Sequence, residues 1–179
     1  LELGVGVGAY REEFEALSPD DNSHRGDIVE EGVRALRLLF TEDRASFDGS
    51  FYRFRDVELF PKPLQDKLPI YFGGNNVNQL RRTAALGDGW LPAGLPLDRI
   101  TADIQHLRRL CADQGRDFAD IQVAPQYIAM VDHDHKRAVT RFESSQMHKH
   151  LMSLTQSTLK EQAGISMVDA NLVGTPAEV

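Results

Sequence analysis

Gly73-Gly74-Asn75-Asn76 is the stretch whose residue types and spacing best suit chemistry. It follows the apolar run Leu68-Pro69-Ile70-Tyr71-Phe72 and precedes a helical pattern from about Asn76 to Leu86. The two glycines therefore stand at the C-terminal end of a strand, just before a helix. Paired glycines let a ligand approach the backbone closely. The N–H groups of Asn75, Asn76 and Val77 would lie unpaired at the helix start, where the helix dipole favours negative charge. A phosphate suits that place. The same residues also make an ordinary strand-to-helix turn capped by Asn75 or Asn76, and the residues alone leave both readings open.

A second glycine cluster, Gly4-Val5-Gly6-Val7-Gly8-Ala9, fits the G-x-G-x-x-[GA] dinucleotide pattern letter by letter, with Asp27 near the place of a ribose ligand. That pattern needs a helix opening within the glycines. Here a loop rich in turn formers, Ser18 to Asp27, intervenes. The better account is a barrel strand whose glycines let a flat ring lie against it. His133-Asp134-His135 and His148-Lys149-His150 invite a metal reading. Histidines two apart on a helix face opposite ways, and Asp134 sits where a helix cap is expected, so these read as solvated surface histidines and no metal site is expected. Cys111 completes an apolar helical stripe and reads as buried and inert. Asp88, in Gly87-Asp88-Gly89, reads as a turn residue at the start of a strand, the end of a barrel strand that catalysis does not use.

The elements that must position these residues follow from periodicity. Leu1 to Val7 reads as a strand, and Tyr10 to Phe14 as a turn of helix or loop. Apolar residues at 29, 33, 36 and 40 make a helical stripe over Ile28 to Phe40. Ala45-Ser46-Phe47 and Phe51-Tyr52-Arg53-Phe54, either side of Asp48-Gly49, predict a β-hairpin that Val57-Glu58-Leu59 extends. Strand Leu68 to Phe72 leads to the helix ending near Leu86, and strand Trp90 to Pro92 to a helix carrying Ile100, Ile104, Leu107 and Cys111 on one face. Ile121 to Val131 is a further strand, and Lys136 begins a long helical region. This alternation predicts parallel β/α units, in a doubly wound sheet or a (β/α)8 barrel. Four such strands cannot close a barrel, which takes about 250 residues, so a barrel would be incomplete. Both ends read as cut. The chain opens at Leu1 inside a strand, and Thr175-Pro176-Ala177-Glu178 is a capping box that starts a helix as the sequence ends.

With 20 Lys and Arg against 27 Asp and Glu, the chain is acidic at −7. This argues against nucleic acid and anionic membrane surfaces as partners. No apolar run approaches transmembrane length. At 179 residues, 41% hydrophobic and 26% charged, the composition is that of about one globular domain. One cysteine excludes a disulfide framework and fits a reducing, cytoplasmic setting.

Taken in order, these motifs resemble the luciferase-like oxidoreductases. Gly4 to Gly8 followed by Tyr10-Arg11-Glu12-Glu13-Phe14 is similar to that family's fourth-strand region, and Arg34 to Asp43 with Phe47 to Tyr52 to its next helix and hairpin. Pro61-Lys62-Pro63-Leu64-Gln65, Pro69 to Asn75, Ala85 to Pro92 and Val173 to Val179 continue in the same order. The resemblance is to the branch that uses the deazaflavin coenzyme F420. It implies a (β/α)8 barrel of the luciferase-like type, with residues 1–179 forming one partial domain that lacks its first strands and last helix, and a hairpin excursion near 45–59. It implies that the cofactor tail is held by Gly73 and Gly74, with Asn76 and Val77 through their backbone, and that Val7 and Gly8 pass the ring. Glu12 stands where some relatives contact the cofactor with Asn. Ala9 stands where sugar-phosphate-oxidising relatives carry Glu, and the family's other acid/base groups lie in strands outside this sequence, so no catalytic residue is named. The implied function is hydride transfer between F420 and a small organic substrate. The alternatives are an FMN-dependent monooxygenase of the same fold and a non-catalytic flavin-binding protein. Barrels of this family are often dimers, although no apolar run here demands a second copy.

Overall fold

The computed structural model describes residues 1–8, 10–17, 24–156 and 162–179. Short parallel strands alternating with helices set its architecture. Strand β1 (Leu3–Val5) leads to α1 (Arg11–Leu17) and α2 (Arg25–Thr41). A hairpin follows, β2 (Ala45–Asp48) and β3 (Arg53–Val57), then β4 (Ile70–Gly73), α3 (Val77–Leu86), β5 (Gly89–Leu91) and α4 (Leu97–Asp113). The chain continues through β6 (Gln122–Val123), β7 (Ala129–Val131), α5 (His135–Glu143), α6 (Gln146–Thr155) and β8 (Leu172–Gly174).

Strands β1, β4, β5 and β6 form one parallel sheet in that order, with Val5 opposite Phe72, Phe72 opposite Trp90, and Trp90 opposite Val123. Paired residues share a face. Leu3, Val5, Ile70 and Phe72 accordingly pack with Val29 and Val33 of α2, while Trp90 packs with Leu80, Leu107 and Cys111 of α3 and α4. Gly4, Tyr71, Gly89 and Gln122 line the opposite, inner face by the same register. There the Tyr71 ring lies over Gly89, where a Cβ would meet it at 2.1 Å.

The segment 121–131 is not one strand. Its first part pairs with β5 as β6, Gln126 makes an isolated parallel bridge to Ala93, and its last part pairs with β8 as β7. Pro125 lies at the interruption; proline lacks the donor that a ladder needs. Among the described residues the neighbours therefore run β1, β4, β5, the interrupted segment, then β8, all parallel.

The hairpin turn is wider than Asp48-Gly49 predicts. The Glu31 carboxylate of α2 accepts the N–H groups of Ser50, Phe51 and Tyr52 at 2.7–2.8 Å, so these residues form the turn and β3 begins only at Arg53. Helix α2 begins at Arg25, taking residues 25–27 from the expected loop; residues 18–23 of that loop lie outside the described residues. At the chain end the carboxylate half of the capping box forms, with Glu178 Oε2 accepting from Thr175 N–H at 2.7 Å.

Asp88 does more than turn the chain. Its carboxylate takes Arg37 of α2 at 2.6 Å, Lys67, and the Ile70 N–H at 3.0 Å, while Arg37 also donates to the Leu86 carbonyl at 3.1 Å. Helix α2, strand β4 and the α3–β5 turn are thus clamped at the N-terminal ends of the strands.

Candidate functional site

All strands of the sheet end on one side, so parallel pairing alone gathers Val7, Gly8, Gly73, Gly74, Asn76 and Val77 at the C-terminal end. Gly74 adopts a φ of 122°, a left-handed conformation that favours glycine. Its N–H reaches the Leu91 carbonyl at 3.3 Å, and its own carbonyl accepts the Trp90 indole N–H at 2.8 Å.

The two asparagines divide the work. Asn76 is the N-cap of α3, its Oδ1 accepting from Asn78 N–H at 3.0 Å and Gln79 N–H at 3.1 Å. That uses the second and third amides of the helix; the Val77 N–H, at the first position, has no intrahelical acceptor. Asn75 is buried and turns away to the next loop. Its Nδ2 donates to the Ala93 carbonyl at 2.8 Å, and its Oδ1 accepts the Ala93 N–H at 3.0 Å. The buried Gln162 donates to the same carbonyl at 2.7 Å. The plain capping reading therefore holds for the Asn76 side chain, and what this turn itself offers a ligand is its backbone amides.

A polar cleft of about 310 Å³ opens beside this helix start, between Val7, the first turn of α2 at His24 to Asp27, and Asn76, Gln79 and Arg82 of α3. Two helix N-termini converge on it, each favouring an anion. Arg25 and Arg82 add positive charge. Arg82 is tied to Glu30 at 3.0 Å, and Arg25 reaches the Gly8 carbonyl at 3.5 Å. Of the residues named from sequence, Val7 and Asn76 line this cleft; Gly8, Gly73, Gly74 and Val77 stand at the same end of the sheet outside its lining. The convergence of α2 on α3, with Arg25 and Arg82, went unread in the sequence. Arg82 carries a usable signal, one helical turn and a half beyond the Asn76 cap.

The inner face beside the cleft is bare. Among the described residues nothing lies within 4 Å of where a Cβ on Gly6 would stand, and a Cβ on Gly73 would meet only the Val5 carbonyl oxygen, at 3.6 Å. Neither glycine has a positive φ, so neither backbone strain nor packing calls for glycine there. Open backbone facing a mouth fits a flat ring, and the adjoining cleft fits a phosphate-bearing tail.

His133, His135 and His150 are exposed, as surface histidines should be, and His148 is half-buried. His135 bonds Glu178 at 2.9 Å, His148 packs edge-on against Phe142 with centroids 5.3 Å apart, and His150 lies 3.1 Å from the Tyr10 hydroxyl. Asp134 caps α5 through the Arg137 N–H at 3.0 Å, as expected. Among the described residues no three His, Cys, Asp or Glu side chains gather as a metal site, and no helix is long and apolar enough to cross a membrane. Cys111 is buried on its stripe. Ala9 lies outside the described residues.

Parallel strands that follow one another as neighbours, with helices after β1, β4, β5 and β7, make this chain part of a (β/α)8 barrel with the glycines at its mouth. It belongs to the luciferase-like monooxygenase family, whose model matches residues 1–178. An FMNH(2)-dependent dimethylsulfone monooxygenase of Pseudomonas putida is 33% identical over 118 residues, covering 64% of this chain and 32% of that protein. The monooxygenase RslO1 from Streptomyces bottropensis superposes with a TM-score of 0.74 at 21% identity, over 99% of this chain and 55% of its own. An F420-dependent secondary alcohol dehydrogenase, solved with an F420-acetone adduct, gives 0.75 at 17% identity, over 97% of this chain and 56% of its own. The chain thus spans about a third of that curated relative (32%) and about half of the solved ones (55% and 56%).

Proposed function

We propose that this chain forms the cofactor-binding side of an oxidoreductase that moves hydride between F420 and a small organic substrate. One observation carries the reading: bare backbone at Gly6 and Gly73 adjoins a cleft where two helix starts and two arginines converge. In this reading Val7 and Gly8 pass the ring, and Gly73 and Gly74 shape the turn beneath the tail. The backbone N–H groups of Asn76 and Val77 bind its phosphate, with Arg25 and Arg82 completing the charge. When bound, F420 supplies or accepts the hydride. The chain's own residues hold the ring against one face and keep the tail in the cleft.

A second reading, FMN with oxygen chemistry, is favoured by the 33% identity to an FMNH(2)-dependent enzyme. Both cofactors carry a tricyclic ring and a phosphate, so the tail cleft serves either. Fluorescence titration with F420 and with FMN separates the two. Tight F420 with weak FMN binding supports hydride transfer. The reverse, with oxygen uptake on reduction, moves the protein to the monooxygenases. Binding of neither overturns the proposal and leaves Gly73-Gly74 a structural turn.

A further inference from the structure

Gly26 stands in the first turn of α2. Its φ is not positive, and alanine is the better helix former there, so the backbone does not call for glycine. The reason lies across the cleft. A Cβ on Gly26 would stand 2.7 Å from Cζ of Arg82 and closer still to Nη2. The guanidinium carried by α3 thus rests directly on the backbone of α2, in the space a side chain would take.

Two contacts hold it there. Arg82 Nε donates to Glu30 Oε1 at 3.0 Å, one turn along α2 from Gly26 and on the same face, and Nη1 reaches Gln79 Oε1 at 3.5 Å. The Arg82 side chain is left only 13% exposed. A guanidinium has five N–H donors. Glu30 and Gln79 engage two of them, and among the described residues Nη2 donates to nothing. Gly26, Gln79 and Arg82 all line the cleft. A largely buried cation with unmet donors favours an acceptor with several oxygens, and a phosphate supplies one through charge-assisted bonds. The acid in the same lining, Asp27, leans to His24 at 3.4 Å.

We propose that Gly26 is a positioning residue, seating Arg82 so that its remaining N–H groups bind the phosphate of the cofactor tail. This rests on the reading of the cleft as the tail site and adds a rule of selection to it. The chain takes the phosphorylated cofactor and discriminates against the same ring without its phosphate. Gly26 acts on the ligand only through Arg82. A methyl at this position meets the tip of a long, flexible side chain, so it displaces the guanidinium and leaves α2 folded.

The test titrates FMN against riboflavin, and F420 against its phosphate-free deazaflavin, by cofactor fluorescence. The proteins are the wild-type chain, Gly26→Ala, Arg82→Gln and the double variant. Gly26→Ala is expected to weaken the phosphorylated cofactor about tenfold, to leave the phosphate-free ring unchanged, and to keep the urea midpoint at or above wild type. In the Arg82→Gln background the same methyl should cost nothing further. Unchanged affinity in Gly26→Ala, an equal loss for the phosphate-free ring, or a further loss on top of Arg82→Gln overturns the proposal and leaves Gly26 a packing glycine. A second arm needs no ring. In the 15N-arginine-labelled chain the Arg82 Nε–H resonance, assigned by its loss in Arg82→Gln, is expected to shift with inorganic phosphate in wild type and not in Gly26→Ala. A silent wild-type signal, or the same shift in both proteins, overturns the seat. Failure of both FMN and F420 to bind sinks the proposed function, while the phosphate shift still decides the role of Gly26.

Discussion

The indole Nε1 of Trp90 donates to the carbonyl oxygen of Gly74 at 2.8 Å, tying the buried helix-facing side of β5 to the loop that ends β4. Trp90 thereby acts on the mouth from behind. Its ring fills the core between α3 and α4, and its one polar atom fixes the direction of the Gly74 peptide. Trp90→Phe keeps most of the packing and removes the donor. The buried-hydrogen-bond scale puts the loss at about 1–2 kcal/mol, readable as a lower urea midpoint. If the Gly74 peptide shapes the tail site, cofactor affinity falls too; a variant less stable yet binding as tightly would confine Trp90 to the core.

The glycines separate a structural demand from a functional one. At Gly74 a Cβ would take on a φ of 122° and meet Gln79 Cγ at 3.0 Å, so Gly74→Ala is expected to cost about 1–3 kcal/mol of stability. At Gly6 a Cβ meets none of the described residues within 4 Å, so Gly6→Ala should leave the unfolding midpoint in place. The added methyl stands where the ring is proposed to lie, and FMN or F420 affinity should drop about tenfold. An unchanged affinity in a fully stable Gly6→Ala would move the ring away from β1.

The clamp at the other end of the sheet makes a pH prediction. Burial pushes the Asp88 carboxyl up, but hydrogen bonds from Lys67, Arg37 and the Ile70 N–H outweigh it and hold the group below its ordinary 3.8. A carboxyl lowered in the folded state stabilises fully above its unfolded value, and that contribution fades as pH falls through the folded one. Asp88→Asn should therefore cost about 2 kcal/mol at pH 7, and the gap from wild type should narrow below about pH 4. Urea unfolding of both proteins at pH 7 and pH 3 measures it; a gap independent of pH would assign the loss to geometry instead of charge.

Local signals were legible in the sequence, and long-range ones were not. The 29, 33, 36, 40 stripe gave α2, and the apolar run before Gly73-Gly74 gave β4 and the start of α3, because both depend on neighbours within a turn or two. The choice of cap between Asn75 and Asn76 needed a partner 18 positions away, the Ala93 backbone. Asp88 read as a bare turn because Arg37 lies 51 positions off, and the cleft was hidden because α2 and α3 meet only in space. The break in Ile121 to Val131 could have been foreseen from Pro125, which no central strand pairing tolerates well. The resemblance to the luciferase-like family supplied what spacing could not, the order of strands around a ring.

The hairpin shows how one carboxylate redraws a turn. Glu31 accepts three consecutive N–H groups, from Ser50, Phe51 and Tyr52, and so holds the hairpin tip against α2 near His24, whose ring lies 6.1 Å from that of Phe51. Burial raises the Glu31 carboxyl, and the three backbone donors with Arg53 more than reverse this, leaving it below 4.5. The anchor is therefore complete at neutral pH and is lost as pH falls through the lowered folded value. Glu31→Gln has a single acceptor oxygen and adds two donors that face other donors. Chymotrypsin at pH 7.5 should cut after Phe51 or Tyr52 several-fold faster in the variant, with the unfolding midpoint little changed. Equal cleavage of the two proteins would show that strand pairing between β2 and β3 holds the tip without Glu31.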